Sequence, residues 1–132
     1  MNIKEVLSWA SEKLGAEVDS PFLDAQVLLM HTLDCNKAYL FAHSDYELET
    51  NQWLEYQNKV VQRMSLKPVQ YIVNSQEFMG FDFYVDERVL IPRPDTEILV
   101  EQIIKEKINQ PRILEIGVGS GAIAIALDLL IK

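Results

Sequence analysis

Apolar residues recur every three or four positions through the first half of the chain, the spacing typical of helices that bury one face. Asn2 and Glu5 stand in the positions of a capping box before the first stripe, and Gly15 follows its end. Ser20-Pro21 supplies a cap and a proline suited to a first helical position. The predicted apolar faces are Ile3, Val6, Leu7, Ala10 and Leu14; Leu23, Val27, Met30 and Leu33; and, in a helix capped by Thr50, Trp53, Tyr56, Val60 and Met64, with a short helix over 36–42 between the last two.

The pattern changes near Pro68. The run EFMGFDFYV, Glu77 to Val85, is aromatic and β-branched on both sides of Met79-Gly80, which predicts a β-hairpin. In the following LIPRPD, each proline keeps the residue before it extended. Asp95 or Thr96 is then expected to cap a helix. Its predicted apolar face is Ile98, Leu99, Ile103 and Ile104.

The last segment, ILEIGVGSGAIAIAL, predicts a strand over 112–116, a glycine loop and a helix over 122–131. Such a strand, loop and helix open a βαβ unit, and open α/β sheets bind ligands at the carboxyl ends of their strands. Glycine allows close approach of a ligand to the backbone, and the helix beyond offers unpaired N–H groups. The segment therefore predicts a nucleotide or cofactor loop.

The acid at Glu115 favours one class of ligand for this loop. GVGSGA fits the dinucleotide pattern G-x-G-x-x-[GA], whereas the Lys-Ser/Thr of a phosphate-binding P-loop is absent. A carboxylate so close to a pyrophosphate would repel it, but it would suit a ligand with a cationic centre. S-adenosylmethionine, with an amino group and a sulfonium, is such a ligand. Glu115 as a purely structural carboxylate at a strand end is the alternative.

Composition limits the remaining classes. Among 132 residues, 12 basic and 20 acidic side chains give a net charge of −8, which disfavours generic nucleic-acid binding. No run approaches the roughly 18 apolar residues of a membrane span, and the amphipathic start is unlike a signal peptide. Cys35 and the two histidines give no metal-ligand spacing, so we expect no metal site. A cytoplasmic location and no membrane partner are expected.

Two segments carry a resemblance to a known family. ILEIGVGSGAIAIAL resembles motif I of the class I S-adenosylmethionine-dependent methyltransferases. PVQYIVNSQEFMGFDFYVDERVLIPRPDTEILVE, residues 68–101, resembles the linker of the release factor glutamine N5-methyltransferases, the PrmC/HemK family, with VLIPRPDTE its most specific part. Asn74 stands where the family pattern has glycine, and asparagine tolerates the left-handed backbone that such a turn needs.

The resemblance implies a function, a fold and a set of site residues. Family members transfer a methyl group from S-adenosylmethionine to the GGQ glutamine of class 1 release factors, which a helical N-terminal domain helps to hold. The implied fold is a mainly α helical bundle for substrate recognition (1–74), a β-hairpin linker (75–94) and the start of a Rossmann-like α/β methyltransferase domain (95–132). The implied cofactor residues are Glu115, Gly117, Val118, Gly119, Ser120 and Gly121, and the implied substrate-side residues are Arg93, Asp95 and Thr96.

The family's NPPY motif, which holds the target nitrogen, does not occur in the sequence. We therefore expect the chain to correspond to the N-terminal portion of such an enzyme, without catalytic residues of its own and without turnover by itself. We also expect the strand at 112–116 and the following helix to lack a sheet to pack on, leading to poor order beyond about residue 110 or to self-association. The alternatives are an adenine-N6 DNA methyltransferase, a dehydrogenase fragment and a purely protein-binding helical module.

Overall fold

The computed structural model describes residues 1–109 and 111–131, with Ala16 described by its backbone only. The chain separates between Val73 and Asn74 into two compact units, called here the helical unit and the second unit. In the described part of the chain no helix is both long and apolar enough to cross a membrane. The predicted end of the third domain, Lys132, lies outside the described residues.

The helical unit contains α-helices joined by short turns, as the apolar spacing predicts. The first stripe is confirmed, because all of its predicted positions are buried. The elements are α1 (Ile3–Leu14), a 3₁₀ turn (Gly15–Glu17), α2 (Pro21–Leu33), α3 (Lys37–Ala42), α4 (Thr50–Met64) and α5 (Val69–Val73).

The starts of α1 and α4 show how side chains fix a helix end. The α1 capping box is confirmed: the Glu5 amide donates to Asn2 Oδ1 and the Asn2 amide to Glu5 Oε2, both at 2.9 Å. The prediction that Thr50 caps α4 is wrong by one residue. Glu49 is the cap, because Gln52 lies three residues beyond it and Gln52 Oε1 accepts from the Glu49 amide at 2.9 Å.

The predicted apolar face of α2 is wrong in part, because three of its four positions pack against the core but are only partly buried. Leu23 is 52% exposed, whereas Ala25, Leu28 and Leu29 are fully buried. Apolar residues occupy nearly every side of this helix, so the 3.6-residue period alone does not select one face. The buried Tyr56 hydroxyl of α4 donates to the Ala25 carbonyl at 3.1 Å, so the face of α2 with Ala25 lies against α4. Met64, predicted on the core face of α4, is likewise 43% exposed.

A lysine is buried between α2 and α4, a feature that the sequence pattern does not reveal. Lys59 is 8% exposed, and its ammonium contacts His31 Nδ1 at 2.8 Å, Thr32 Oγ1 at 3.1 Å and Glu55 Oε1 at 2.6 Å. With Lys59 donating, His31 Nδ1 accepts, which requires a neutral imidazole. Every ammonium proton thus has an acceptor, so the buried charge is satisfied.

The pH dependence of stability follows from His31. Its ring is at the surface, yet partial burial, followed by the Lys59 charge, lowers its pKa against the opposing effects of Glu55, Val73 and Asp34. Because that pKa is lower in the folded chain, the unfolded chain takes up a proton first as the pH falls. We expect the free energy of unfolding to be highest above about pH 6.5 and to decrease below it.

Urea unfolding followed by tryptophan fluorescence between about pH 5.5 and 7.5 measures this slope. His31→Gln, whose amide oxygen still accepts from Lys59, should flatten it, while the exposed His43→Gln should leave it unchanged. An equal slope in the wild type and in His31→Gln would show that His31 does not couple to folding.

The second unit begins with a hairpin and ends with two helices. The predicted hairpin is confirmed: β1 (Gln76–Phe78) and β2 (Phe81–Phe83) pair antiparallel, with Phe78 opposite Phe81. Asn74 adopts the expected left-handed backbone, with φ of 52°, and its Nδ2 donates to the Val85 carbonyl at 3.1 Å.

The last elements are α6 (Pro94–Lys105) and α7 (Ala122–Leu130). Neither Asp95 nor Thr96 caps α6, because Pro94 at the first helical position already fixes φ and Arg93 occupies the cap position. Its predicted face is also wrong in part, since Ile98 and Leu99 are at least half exposed. The core of this unit consists of Phe78, Phe83, Val100, Ala122, Ala126 and Leu127.

The strand predicted over 112–116 does not form. A strand needs a hydrogen-bonded neighbour, and the described residues of this unit place none beside this segment. Leu114 and Ile116 are 87% and 90% exposed as a result. The last helix is expected to lack a sheet to pack on, and α7 instead buries Ala126 and Leu127 in a core with Phe78 of the hairpin and Val100 of α6. Poor order beyond about residue 110 stays a prediction. Self-association stays a prediction.

Candidate functional site

The glycine loop uses backbone conformations that favour glycine. Gly117, Gly119 and Gly121 have φ of 76°, 59° and 81°. An added Cβ at Gly121 would lie 3.2 Å from Ile125 Cδ1, so the Ile125 side chain would have to shift by a few tenths of an ångström to admit it. At Gly117 and Gly119 an added Cβ would meet no atom within 4 Å. The backbone at these two positions is therefore open to a ligand.

The glycine loop leads directly into α7, whose N-terminus has no side-chain cap. The Gly121 amide donates to the Val118 carbonyl at 3.0 Å, closing the turn, and Gly121 occupies the cap position. Without a capping side chain, the first N–H groups of α7 have no side-chain acceptor. Such a helix end favours negatively charged or hydrogen-bond-accepting groups of a ligand.

Glu115 carries an unpaired buried oxygen. Its side chain is half-buried, and Oε2 is shielded from solvent without a hydrogen-bond partner in the described part of the chain. A buried carboxylate oxygen without a hydrogen bond is unfavourable, so a group that donates a hydrogen bond to it would be stabilising. An ammonium or hydroxyl of a ligand would supply one. This observation favours a cationic or hydroxylated ligand over a pyrophosphate.

A cavity of about 200 Å³ connects the loop with the segment before α6. Of the predicted site residues, it brings together Arg93, Thr96, Glu115, Gly117, Val118, Gly119 and Ser120. Gly121 does not line it. Asp95 does not line it either and is exposed in the first turn of α6. The Thr96 amide donates to the Arg93 carbonyl at 3.0 Å, which fixes the start of α6 at the cavity wall.

The sequence reasoning missed part of the apolar wall of this cavity, although it expected the segment IPRPDTE, residues 91–97, to line the site. The members of this wall are Phe78, Leu90, Ile91, Pro92, Ala122 and Ile123. Phe78 is 1% exposed and contacts Phe83 edge-to-face, with ring centroids 6.2 Å apart. The alternation in the hairpin indicates that Phe78 is buried, but only the tertiary fold places it beside the loop.

A larger cavity of about 690 Å³ shares Glu115 and Val118 with the first. Asn109 and Asp128 are its other polar lining residues. Since pockets for drug-sized ligands have volumes of roughly 300–1,000 Å³, the smaller cavity by itself accommodates only part of such a ligand. We take the smaller one as the site because it contains most of the residues predicted from the sequence.

The Asp86–Arg88 ion pair lies outside this site. Arg88 hydrogen bonds lower the pKa of Asp86 to about 2, but the Arg88 side chain is exposed and the pair does not line the cavity. Among residues 1–109 and 111–131 no group of three acidic, histidine or cysteine side chains is placed to hold a metal.

Known proteins match nearly the whole chain. Residues 5–73 match the family model described as PrmC N-terminal domain. Release factor glutamine methyltransferases are similar along both units: that of Shewanella oneidensis is 43% identical over 126 residues, and that of Koribacter versatilis is 40% identical over 130 residues. These matches cover 95% and 96% of this chain but 44% and 46% of the relatives. The chain thus spans about half the length of the curated relatives that it matches.

Proposed function

We propose that this chain, which belongs to the family of the PrmC N-terminal domain, forms part of a release factor glutamine methyltransferase. The proposed reaction transfers a methyl group from S-adenosylmethionine to the side-chain amide nitrogen of the GGQ glutamine in a class 1 release factor. One observation carries the proposal: a single cavity brings the unpaired Glu115 carboxylate, the glycine loop and the segment before α6 together.

The residues of the cavity fit S-adenosylmethionine. Glu115 Oε2 lacks a donor, which the amino group or a ribose hydroxyl would provide. Gly117 and Gly119 leave the backbone bare, and the uncapped start of α7 offers N–H groups to a carboxylate. When bound, this cofactor supplies an electrophilic methyl group on a positively charged sulfur. Val118, Ser120 and Gly121 complete the proposed cofactor loop.

The segment before α6 is the proposed substrate side. Arg93, just before α6, and Thr96, in its first turn, line the cavity together with the loop, so they are available to a polar group that enters it. Asp95 is exposed and does not line the cavity, so it would contact only a part of the substrate that lies outside the cavity. We propose no catalytic residue and no metal site in this chain.

The domain roles are part of the same proposal. Residues 1–74 would recognise the release factor, and residues 95–132 would begin the Rossmann-like methyltransferase domain. Residues 75–94 would be the β-hairpin linker between these two domains. A substrate that works in translation termination would be encountered in the cytoplasm. The net charge of −8 argues against the adenine-N6 DNA methyltransferase alternative, and Glu115 argues against a dinucleotide dehydrogenase.

A chimera tests the proposed activity. Residues 1–131 of this chain would replace the matched segment of the Shewanella oneidensis enzyme, and mass spectrometry would follow methylation of a class 1 release factor. We expect methylation of the GGQ glutamine by the chimera and a strong loss with Glu115→Gln. The exposed Glu101→Ala should retain activity. A folded chimera that methylates no release factor, beside an active parent enzyme, would contradict the proposal.

A further inference from the structure

The hairpin turn is held by a residue from another element. Met79 and Gly80 form the two central positions between Phe78 and Phe81, and both have positive φ, 54° and 79°. Turns of this kind favour asparagine, aspartate or glycine first, because a left-handed backbone strains other side chains. A methionine at this position therefore needs support from its surroundings.

That support comes from Glu97. Its Oε1 accepts the Met79 amide at 2.7 Å across 18 residues of sequence. Hydrogen bonds to ionised acceptors are short and about twice as strong as neutral ones. The carboxylate also lies in the first turn of α6, where the helix dipole favours a negative charge. Glu97 is half-buried, so water competes less for this bond than at a surface.

The pinned turn is adjacent to the candidate site. Phe78, the residue before Met79, is 1% exposed and lines the cavity together with Glu115 and the glycine loop. Thr96, the residue before Glu97, lines the same cavity. With strands of three residues each, the hairpin has little rigidity of its own. The Glu97–Met79 bond thus joins two walls of the cavity.

We propose that Glu97 is a positioning residue for the cofactor cavity, acting through the Met79 amide to fix Phe78 against the glycine loop. The inference rests on the proposed function, because its readout is affinity for S-adenosylmethionine. Glu97 itself would not touch the cofactor, and its negative charge strengthens the bond to the Met79 amide, although a neutral acceptor can still make it. The role requires an acceptor oxygen within hydrogen-bonding distance of the Met79 amide, where Glu97 Oε1 lies.

Calorimetric titration of the 132-residue chain with S-adenosylmethionine tests this inference. We expect Glu97→Ala to weaken binding by about fivefold, within the usual range for coupled neighbours. Glu97→Gln keeps a carbonyl acceptor and should bind within about twofold of the wild type. The matched control is Glu101→Ala, exposed one turn further along α6. Amide hydrogen exchange at Met79 should accelerate in Glu97→Ala only.

The variant Met79→Gly distinguishes a positioning role of Glu97 from a general effect of Glu97 on folding. Glycine adopts φ of 54° without strain, so in Met79→Gly the turn should no longer depend on Glu97. Adding Glu97→Ala to Met79→Gly should therefore cost less affinity than in the wild type. An equal cost in both backgrounds would overturn the proposal, as would unchanged affinity in Glu97→Ala or a Glu97→Gln as weak as Glu97→Ala. Absence of binding by the wild type would instead refute the proposed cofactor site, and the positioning role with it.

Discussion

Replacing Gly119 by alanine is expected to weaken S-adenosylmethionine binding by tenfold or more, equivalent to about 1.4 kcal/mol. Gly119 has φ of 59°, where an alanine is strained by roughly 1–2 kcal/mol. Its added methyl group would project from a backbone that lines the cavity and meets no protein atom within 4 Å. The ligand would therefore meet both a displaced loop and an obstructed approach. Isothermal titration of the 132-residue chain measures the change.

Gly15→Ala is the matched control for backbone strain. Gly15 has φ of 54° and ψ of −151°, a region that other residues rarely adopt, and an added Cβ there also meets open space. Since it lies in the helical unit, we expect lower thermal stability but unchanged affinity for S-adenosylmethionine. Equal affinity in Gly119→Ala and the wild type would mean that the loop is not the cofactor site.

Truncating Tyr56 to alanine is expected to lower the free energy of unfolding of the helical unit by about 4 kcal/mol. Tyr56 is fully buried, and its ring lies 6.4 Å from that of Trp9 and 6.3 Å from that of Trp53, centroid to centroid. Its removal would leave a cavity between these rings. Because small domains are stable by roughly 5–15 kcal/mol, this loss is a large part of the total.

Urea unfolding followed by tryptophan fluorescence reports on this unit selectively, because both tryptophans of the chain, Trp9 and Trp53, lie in it. Tyr56→Phe removes only the hydroxyl that donates to the Ala25 carbonyl, and should cost about 1 kcal/mol. Leu54→Ala, at a side chain 60% exposed, should change stability by less than about 0.5 kcal/mol. The packing account would be contradicted if Tyr56→Ala lowered the free energy of unfolding as little as Leu54→Ala does.

Local requirements made part of this fold predictable. The stripe of α1 leaves one face to bury, so its core positions follow from spacing. The glycine loop is similarly local, because positive φ at Gly117, Gly119 and Gly121 is a property of each residue. In α2 apolar residues occupy nearly every side of the helix, and its buried face is decided by partners such as Tyr56.

Contacts distant in sequence account for what was missed. The Lys59 ammonium reaches His31 across 28 residues, and Glu97 reaches the Met79 amide across 18. No spacing rule links such pairs. The segment 112–116 shows the opposite failure: its composition predicts a strand, yet a strand exists only with a partner. The Rossmann-like part of the fold therefore stays a proposal, whereas the helical bundle is confirmed.

The central claim is that the cavity of Glu115, the glycine loop and the segment before α6 binds S-adenosylmethionine. The most direct measurement is a titration of the ¹⁵N-labelled chain, followed by amide chemical shifts. The account predicts saturable shifts at residues 117–121 and at Arg93 and Thr96, with α1 unaffected and no such shifts with NAD. Shifts confined to the helical unit, equal shifts with NAD or no shifts at saturating S-adenosylmethionine would contradict it.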